Sequence, residues 1–287
     1  MIAFSYWQAH HSTVISESYV KADKLQKAHY AHFVHCVHGI NLEILYILLR
    51  GTDRRRVLFI MNKQEQLGKI GDYVRDALQR SFGQELSACD VFLGSNYLVM
   101  HIRGFVSPME AVLVEGGEYD AVAASRGLVV QKLLFECKAV VQLLLGVRVE
   151  EFYDDWSYTN NAGMIIGILA EEQEFSHPPG DWKGLDLFKA DVERLCQLVE
   201  KVPEKTRIVP FTPRMLVVQR DGILIALEKA MIEKGYEKQL RATKADLEKG
   251  YFHHNALFEP IIGRELEDVF IDWNMHSDRS LMCFVWK

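Results

Sequence analysis

The sequence contains two copies of one pattern, and this repeat restricts the fold more than any other feature. Residues 97–104 match residues 215–222 at an offset of 118, and residues 146–156 match residues 263–273 at an offset of 117. Seven identities keep these offsets in the same order: Leu98/Leu216, Gly104/Gly222, Glu110/Glu228, Gly146/Gly263, Glu150/Glu267, Asp155/Asp272 and Trp156/Trp273. Ordered self-similarity of this kind indicates a duplicated structural unit. We therefore expect two related domains in tandem.

Hydrophobic spacing predicts how each copy begins. Apolar residues recur at helical spacing over residues 67–78, and the second copy repeats this stripe over residues 188–199. Turn-forming triplets then follow at residues 94–96 and 212–214, each between two short apolar runs. Runs of this kind around a turn are typical of β-hairpins. Each copy is thus predicted to open with a helix and a hairpin.

Helix boundary residues predict the rest of the copy. Ser107 followed by Pro108 is a typical helix start, because serine caps the free N–H groups and proline fits the first turn. Two glycines at residues 116–117 interrupt the helical pattern, which then resumes and ends at Gly146. A second hairpin is predicted over residues 147–169. The order of elements is therefore αββααββ in both copies.

These elements predict an α+β protein with two αββααββ domains. Two hairpins can form a four-stranded antiparallel sheet, and the helix stripes need one face of that sheet to cover. A Pro/Gly cluster at residues 176–181 marks the linker between the copies. The predicted boundaries are an N-terminal extension at 1–60, a first domain at 61–172, a linker at 173–184 and a second domain at 185–287.

The first sixty residues differ in composition from the rest of the chain. They carry a formal charge of +3, whereas residues 61–287 carry −9. Residue types that bind zinc recur in this part of the chain: His29, His32, His35, His38 and Cys36. Their spacing is poor, because a strict three-residue step drifts around a helix and only neighbouring pairs could share one ion. The arginine run at residues 54–56 lies just before Met61. A purine-rich ribosome-binding sequence would encode such a run if it were translated in frame, and Met61 would then be the true start. We expect residues 1–60 to be poorly ordered or not native.

Composition restricts the compartment and the partners. The formal charge of −6 argues against a nucleic-acid partner, which selects a basic surface. Five scattered cysteines without a C-x-x-C pair are typical of reduced thiols in the cytoplasm. The apolar stretch at residues 40–49 is shorter than the ~20 residues of a membrane helix and contains Asn41 and Glu43. We therefore expect a cytoplasmic protein without direct membrane insertion.

The first copy resembles a known bacterial family over residues 64–170. The resemblance depends on a strand that ends in Ile-Arg-Gly at 102–104, on Ser-Pro-Met-Glu at 107–110, and on a long helix that ends in Leu-Leu-Gly-Val at 144–147. These features are similar to the MpsC family, which is named for a component of a sodium-translocating, membrane-potential-generating system. The second copy, over residues 185–286, is similar but more divergent.

The resemblance implies a context and supplies no catalytic residues. Family members do not resemble membrane-spanning subunits, so it implies a soluble protein associated with ion transport or with inorganic carbon uptake. Contacts with membrane transport subunits would then bring the chain to the membrane as a peripheral protein. The chain could also form a homo-oligomer.

Acidic and aromatic residues at equivalent positions are the candidate site. Asp155 and Asp272 could hold a cation or act as acid and base, but we expect these acids to solvate an exposed face of the sheet. Trp156 and Trp273 could line a ligand pocket or anchor the core, and packing is the commoner role. Glu110 and Glu228 are a further pair of acids at equivalent positions in the two copies.

Two classes of function are compatible with these residues. The sequence contains no G-x-x-x-x-G-K-[ST], H-E-x-x-H or G-x-S-x-G motif, so we assign no catalytic, cofactor-binding or metal-binding residue. We favour a non-catalytic binding or accessory protein whose two domains pack through equivalent surfaces. The alternative is a cation-dependent sensor or an enzyme that uses the acidic residues near each second hairpin.

Overall fold

The computed structural model describes residues 61–254 and 256–287, and at residues 253 and 254 it describes the backbone alone. The extension predicted at 1–60 lies outside the described residues, and so do its histidines and Cys36. Within the described part of the chain, helices and strands mix in an α+β arrangement, which confirms the predicted class.

The elements of the first repeat are bounded as follows. They are α1 (Lys63–Phe82), β1 (Ala88–Arg103), α2 (Pro108–Glu115), α3 (Tyr119–Leu145), β2 (Val149–Ser157) and β3 (Ala162–Gln173). Those of the second repeat are α4 (Leu185–Val199), β4 (Lys205–Thr212), β5 (Met215–Asp221), α5 (Ala226–Glu233), α6 (Glu237–His254), α7 (Phe258–Ile262), β6 (Leu266–Asn274) and β7 (Arg279–Trp286).

Capping residues set the helix boundaries of the first repeat. Asn62 accepts a hydrogen bond from the backbone of Glu65, whose side chain bonds back to the Asn62 N–H, so α1 begins with a capping box. Ser107 and Glu110 form the same arrangement at the start of α2. The break predicted at residues 116–117 separates α2 from α3, which confirms the broken helical segment.

The first sheet has three strands in the order β1-β3-β2, so the four-stranded sheet predicted for the first copy is wrong. The triplet at 94–96 does not turn the chain, and β1 runs through it as one strand of 16 residues. The backbone of Leu93 pairs with Ser176, beyond the end of β3. Because this pairing continues, the chain does not reverse, and Ser95 forms an irregularity with a left-handed φ of 51°.

The second sheet has the predicted four strands, in the order β4-β5-β7-β6. Here the triplet at 212–214 does reverse the chain, and Thr212 pairs with Met215 across it. Antiparallel neighbours pair throughout this sheet. The correct prediction reflects the local stiffness of Pro213, which suits a turn and cannot donate to a central strand.

The two sheets pack face to face, and helices cover their outer faces. Tyr97, Val99 and Ile166 of the first sheet share one buried cluster with Val217 and Cys283 of the second. Helices α4, α6 and α7 pack on the opposite face of the second sheet. Helices α1 and α3 contact the strands of the first. The repeats therefore form a four-layer arrangement, helix–sheet–sheet–helix.

Candidate functional site

Asp155 and Asp272 each bind the backbone of the other repeat. Asp155 Oδ2 accepts a hydrogen bond from the Ile271 N–H at 2.9 Å, and Asp272 Oδ2 accepts one from the Asp154 N–H at 2.9 Å. Ile271 and Asp154 are themselves equivalent at the 117-residue offset. The edge strands β2 and β6 are thus joined by two bonds of one kind, as expected for repeats that pack through equivalent surfaces.

The second oxygen of each aspartate is also occupied. Asp155 Oδ1 accepts bonds from the Trp156 N–H at 2.9 Å and from Lys249 Nζ at 2.6 Å. Asp272 Oδ1 accepts bonds from the Trp273 N–H and from the Arg241 guanidinium. Both cations lie on α6 of the second repeat. The pseudo-symmetric aspartates therefore receive their positive partners from one repeat alone.

The expectation that these acids solvate an exposed sheet face is wrong. The side chains of Asp155 and Asp272 are only 14% and 17% exposed, because the neighbouring repeat and α6 cover this edge. Burial and, to a lesser degree, the negative charge of Asp272 together raise the pKa of Asp154 to about 7. Burial also raises the pKa of Asp272, against the lowering effect of Arg241.

A small cavity of about 10 Å³ adjoins the three aspartates. Tyr153, Phe270 and Leu281 are among its other lining residues. A cavity of this volume has room for about one water molecule. Within the residues that the structure describes, no three His, Cys, Asp or Glu side chains are grouped so that they could hold a metal ion.

Trp156 and Trp273 each pack within their own repeat. The Trp156 ring lies edge-on to Phe105 at 4.8 Å, and its Nε1 donates to Asp154 Oδ2 at 2.8 Å. Trp273 belongs to the core between the second sheet and its helices, and its Nε1 donates to Glu248 at 3.0 Å. The two rings therefore donate hydrogen bonds to acidic groups of their own repeats while they pack against aromatic or apolar side chains of those repeats.

Glu110 and Glu228 are buried and bind equivalent cations. Glu110 lies 2.6 Å from the guanidinium of Arg126, and Glu228 lies 3.0 Å from Lys244 Nζ. Arg126 and Lys244 are separated by the same 118 residues as the two glutamates. Hydrogen bonds from Ser107 and Arg126 lower the pKa of Glu110, and they outweigh its desolvation. The shared glutamates thus attach α2 to α3 and α5 to α6.

The second repeat contains a larger buried charge cluster around Lys244. Besides Glu228, Lys244 contacts Glu200 and lies 3.5 Å from Glu248. Glu248 also binds Arg220 at 2.6 Å. One oxygen of Glu200 has no hydrogen-bond partner. Burial and the charge of Glu248 raise the pKa of Glu200 to about 7.

The sequence interpretation did not identify these cations, although two signals were present. Arg126 and Lys244 keep the repeat offset, as Glu110 and Glu228 do. Lys244 and Glu248 also continue a four-residue step from Leu240 to Phe252, both of which are buried. Charged residues on an otherwise apolar helix stripe indicate a buried ion pair.

The comparison with known families agrees with this architecture. The family described as "Na+-translocating membrane potential-generating system (MpsC)" matches residues 62–171 and 192–287. The chain belongs to the MpsC family. The two segments of the chain that match the MpsC family lie within the two repeats. No curated protein and no solved structure matches the chain significantly.

The helices in the described part of this MpsC chain do not have the length and composition of membrane spans. Among these residues, no helix is both long enough and apolar enough to cross a bilayer. The longest is α3, with 27 residues. Lys132, Glu136 and Lys138 interrupt its apolar sequence.

Proposed function

We propose that this chain is a non-catalytic accessory protein of an MpsC-type sodium-translocating system and acts through contacts with other proteins. The family match over both repeats is the observation that carries the proposal. The family description concerns a system that moves sodium ions and generates a membrane potential. A chain without a spanning helix among its described residues would serve such a system as a peripheral partner of its membrane subunits.

The chemistry at the candidate site supports an accessory role. All four carboxylate oxygens of Asp155 and Asp272 accept hydrogen bonds from this chain. A general acid or base needs an atom within hydrogen-bond reach of a substrate proton. The adjoining cavity of about 10 Å³ does not hold a molecule larger than water. These acids therefore serve best as a link between the repeats.

The charge of the chain supports recruitment through protein rather than lipid. Residues 61–287 carry a formal charge of −9, which anionic lipid headgroups repel. We therefore place the chain in the cytoplasm, at the membrane only when a transport subunit holds it there. Inorganic carbon uptake is the transport process in which we place this system.

Deletion of the gene in its native host tests the proposal. We expect the sodium-dependent membrane potential to fall and to recover with the wild-type chain. In fractionated cells, the chain should sediment with membranes when the transport subunits are present and should leave them when those subunits are deleted. Membrane association that persists without the subunits, or a potential unchanged by the deletion, contradicts the proposal.

A cation-dependent sensor is the second candidate, and the observation that favours it is the raised pKa of Asp154 beside Asp272. A thermal-shift screen with metal ions, nucleotides, bicarbonate and small anions separates the two candidates. A strong shift that Asp155→Asn abolishes favours the sensor. An exposed control, Glu171→Gln, should leave that shift unchanged.

A further inference from the structure

Helix α2 has the reverse of the usual surface pattern. A helix on the surface of a soluble protein buries its apolar stripe and exposes its polar face. In α2 the only fully buried side chain is Glu110, whereas Met109 and Val112 are 78% and 67% exposed. Leu113 is also exposed, and residues at i, i+3 and i+4 share one side of a helix.

The buried polar contacts explain how the helix keeps this orientation. Glu110 Oε2 accepts hydrogen bonds from the Ser107 N–H and hydroxyl, both at 2.9 Å. Arg126 Nη2 lies 2.6 Å from both carboxylate oxygens of Glu110. Phe82 and Phe105 stack on the Arg126 guanidinium, at 4.1 and 4.4 Å. These charge-assisted bonds hold the acid inward, so the apolar side of α2 faces outward.

An exposed aromatic side chain follows α2 at the start of the next helix. Tyr119, at the start of α3, is 47% exposed and lies 6.2 Å from the ring of Tyr158. Tyrosine and methionine are enriched in the cores of protein interfaces. We call the exposed side chains Met109, Val112, Leu113 and Tyr119 the α2 face.

The charged side chains of the segment that carries α2 all have one sign. No lysine or arginine occurs between Arg103 and Arg126. Three exposed acids lie in that interval, at the C-terminal end of α2 and the start of α3: Glu115, Glu118 and Asp120. The carbonyl end of a helix is itself partly negative. A complementary surface must therefore be apolar and carry positive charge at one side.

The second repeat has an equivalent helix with different charges. Leu227 of α5 corresponds to Met109 and is 67% exposed, and Glu228 is again the buried anchor. In this part of the second repeat, the lysines Lys229, Lys234 and Lys238 accompany two acids, Glu233 and Glu237. A border of acids alone is therefore specific to the first repeat, and α5 provides a control within the same molecule.

We propose that the α2 face binds a basic amphipathic helix of a protein partner. This inference rests on the proposed function, because it gives the chemistry of the partner surface. The helix would place its apolar side on Met109 and Val112 and its lysine or arginine side chains beside Glu118 and Asp120. Charged borders of this kind set the choice and the orientation of a partner, while the apolar centre supplies most of the affinity.

A pair of model peptides tests the proposal on the full chain. One labelled Leu/Lys peptide of about five helical turns has a leucine side and a lysine side, and its counterpart carries glutamate in place of lysine. Binding is measured by fluorescence anisotropy at low and high salt. We expect the Leu/Lys peptide to bind, more weakly at high salt because exposed charges are screened. The Leu/Glu peptide should not bind.

Charge-neutral variants separate the apolar contribution from general attraction to an acidic protein. The double variant Met109→Ser/Val112→Ser should weaken Leu/Lys binding by about tenfold or more. Leu227→Ser, which removes an equally exposed side chain from α5, should change it by less than about twofold. Equal losses from both changes would overturn the proposal.

A second set of variants tests the acidic border. Glu115→Gln/Glu118→Gln/Asp120→Asn should reduce both the affinity and its dependence on salt. Glu171→Gln/Glu172→Gln/Glu174→Gln removes the same number of exposed acids far along the chain and should leave binding nearly unchanged. Loss of binding in this control, or no loss in the border variant, would contradict the assignment.

Lipid vesicles distinguish a protein partner from a membrane surface. We expect no binding of the chain to vesicles of phosphatidylcholine, with or without phosphatidylglycerol. Vesicle binding that Met109→Ser/Val112→Ser abolishes would overturn the protein partner in favour of lipid. The proposed function fails on a separate result, the membrane potential in the deletion strain, so the two failures are distinguishable.

Discussion

The backbone N–H of Asp154 donates to the carboxylate of Asp272 at 2.9 Å, so an edge strand of one repeat is bound by a side chain of the other. The equivalent bond from Ile271 to Asp155 makes the contact reciprocal. Backbone groups of an edge strand would otherwise need water or another chain as partners. These two carboxylates therefore close one side of the contact between the repeats.

Replacement of Asp272 by alanine should destabilise the protein. It removes the acceptor for the Asp154 N–H and leaves Arg241 without its carboxylate. We expect the free energy of unfolding to fall by about 2–3 kcal/mol, as measured by urea denaturation. The exposed control Glu171→Ala should change it by less than about 0.5 kcal/mol. Equal stability of the two variants would contradict this role.

Removal of the buried anchor of α2 should have a larger effect. In Glu110→Ala, the Arg126 side chain, which is 1% exposed, is left without its carboxylate. Loss of one partner of a buried ion pair costs about 3–5 kcal/mol. Glu115→Ala on the same helix alters an exposed residue and should leave the free energy of unfolding almost unchanged. Thermal denaturation of the two variants checks the difference.

Residues 61–172 expressed alone should fold and then associate with themselves. The isolated repeat exposes the sheet face that carries Tyr97, Val99 and Ile166, which the second sheet covers in the full chain. A second copy would replace the missing repeat. Sedimentation should show a dimer, and Ile166→Lys should shift it toward monomer. An unfolded circular dichroism spectrum would mean that the first repeat cannot fold without this contact, which would contradict the predicted domain boundary.

Stability should fall as the pH rises from about 4.5 to about 7. The pKa of Glu200 is raised from 4.5 to about 7, mainly by burial. In this window the folded protein keeps a proton that the unfolded chain has lost, so rising pH favours unfolding. We expect the free energy of unfolding to fall by an amount on the order of 1–3 kcal/mol and to level off above the pKa of Glu200 in the folded protein.

Neutral variants of the two raised acids check this pH dependence. Glu200→Gln and Asp154→Asn remove the titrating groups, so each should flatten the curve of unfolding free energy against pH between 5 and 8. Glu171→Gln should keep the wild-type slope. A slope that neither raised-acid variant alters would assign the pH dependence to other groups.

Local signals predicted most of the helices and strands correctly, but the predicted order αββααββ lacks the short helix α7 of the second repeat. Ser107, Pro108 and the glycines at 116–117 act on their immediate neighbours, so their effect is readable without the fold. The triplet at 94–96 consists of residues that are common in hairpin turns, yet β1 continues through it. Arg207 of the second repeat binds Ser95 and Asn96 there, a contact that no local pattern indicates.

By itself, the sequence determined the repeat, the helix caps and which residues share a face of each element, because these depend on offsets and on periods of 3.6 and 2 residues. The tertiary structure decided which faces meet. In β3 and β7 both sides are apolar, so alternation could not distinguish the face that meets the helices from the face that meets the other sheet. Contact between these sheets brought Asp155 and Asp272 together from positions 117 residues apart, where only long-range packing can pair them.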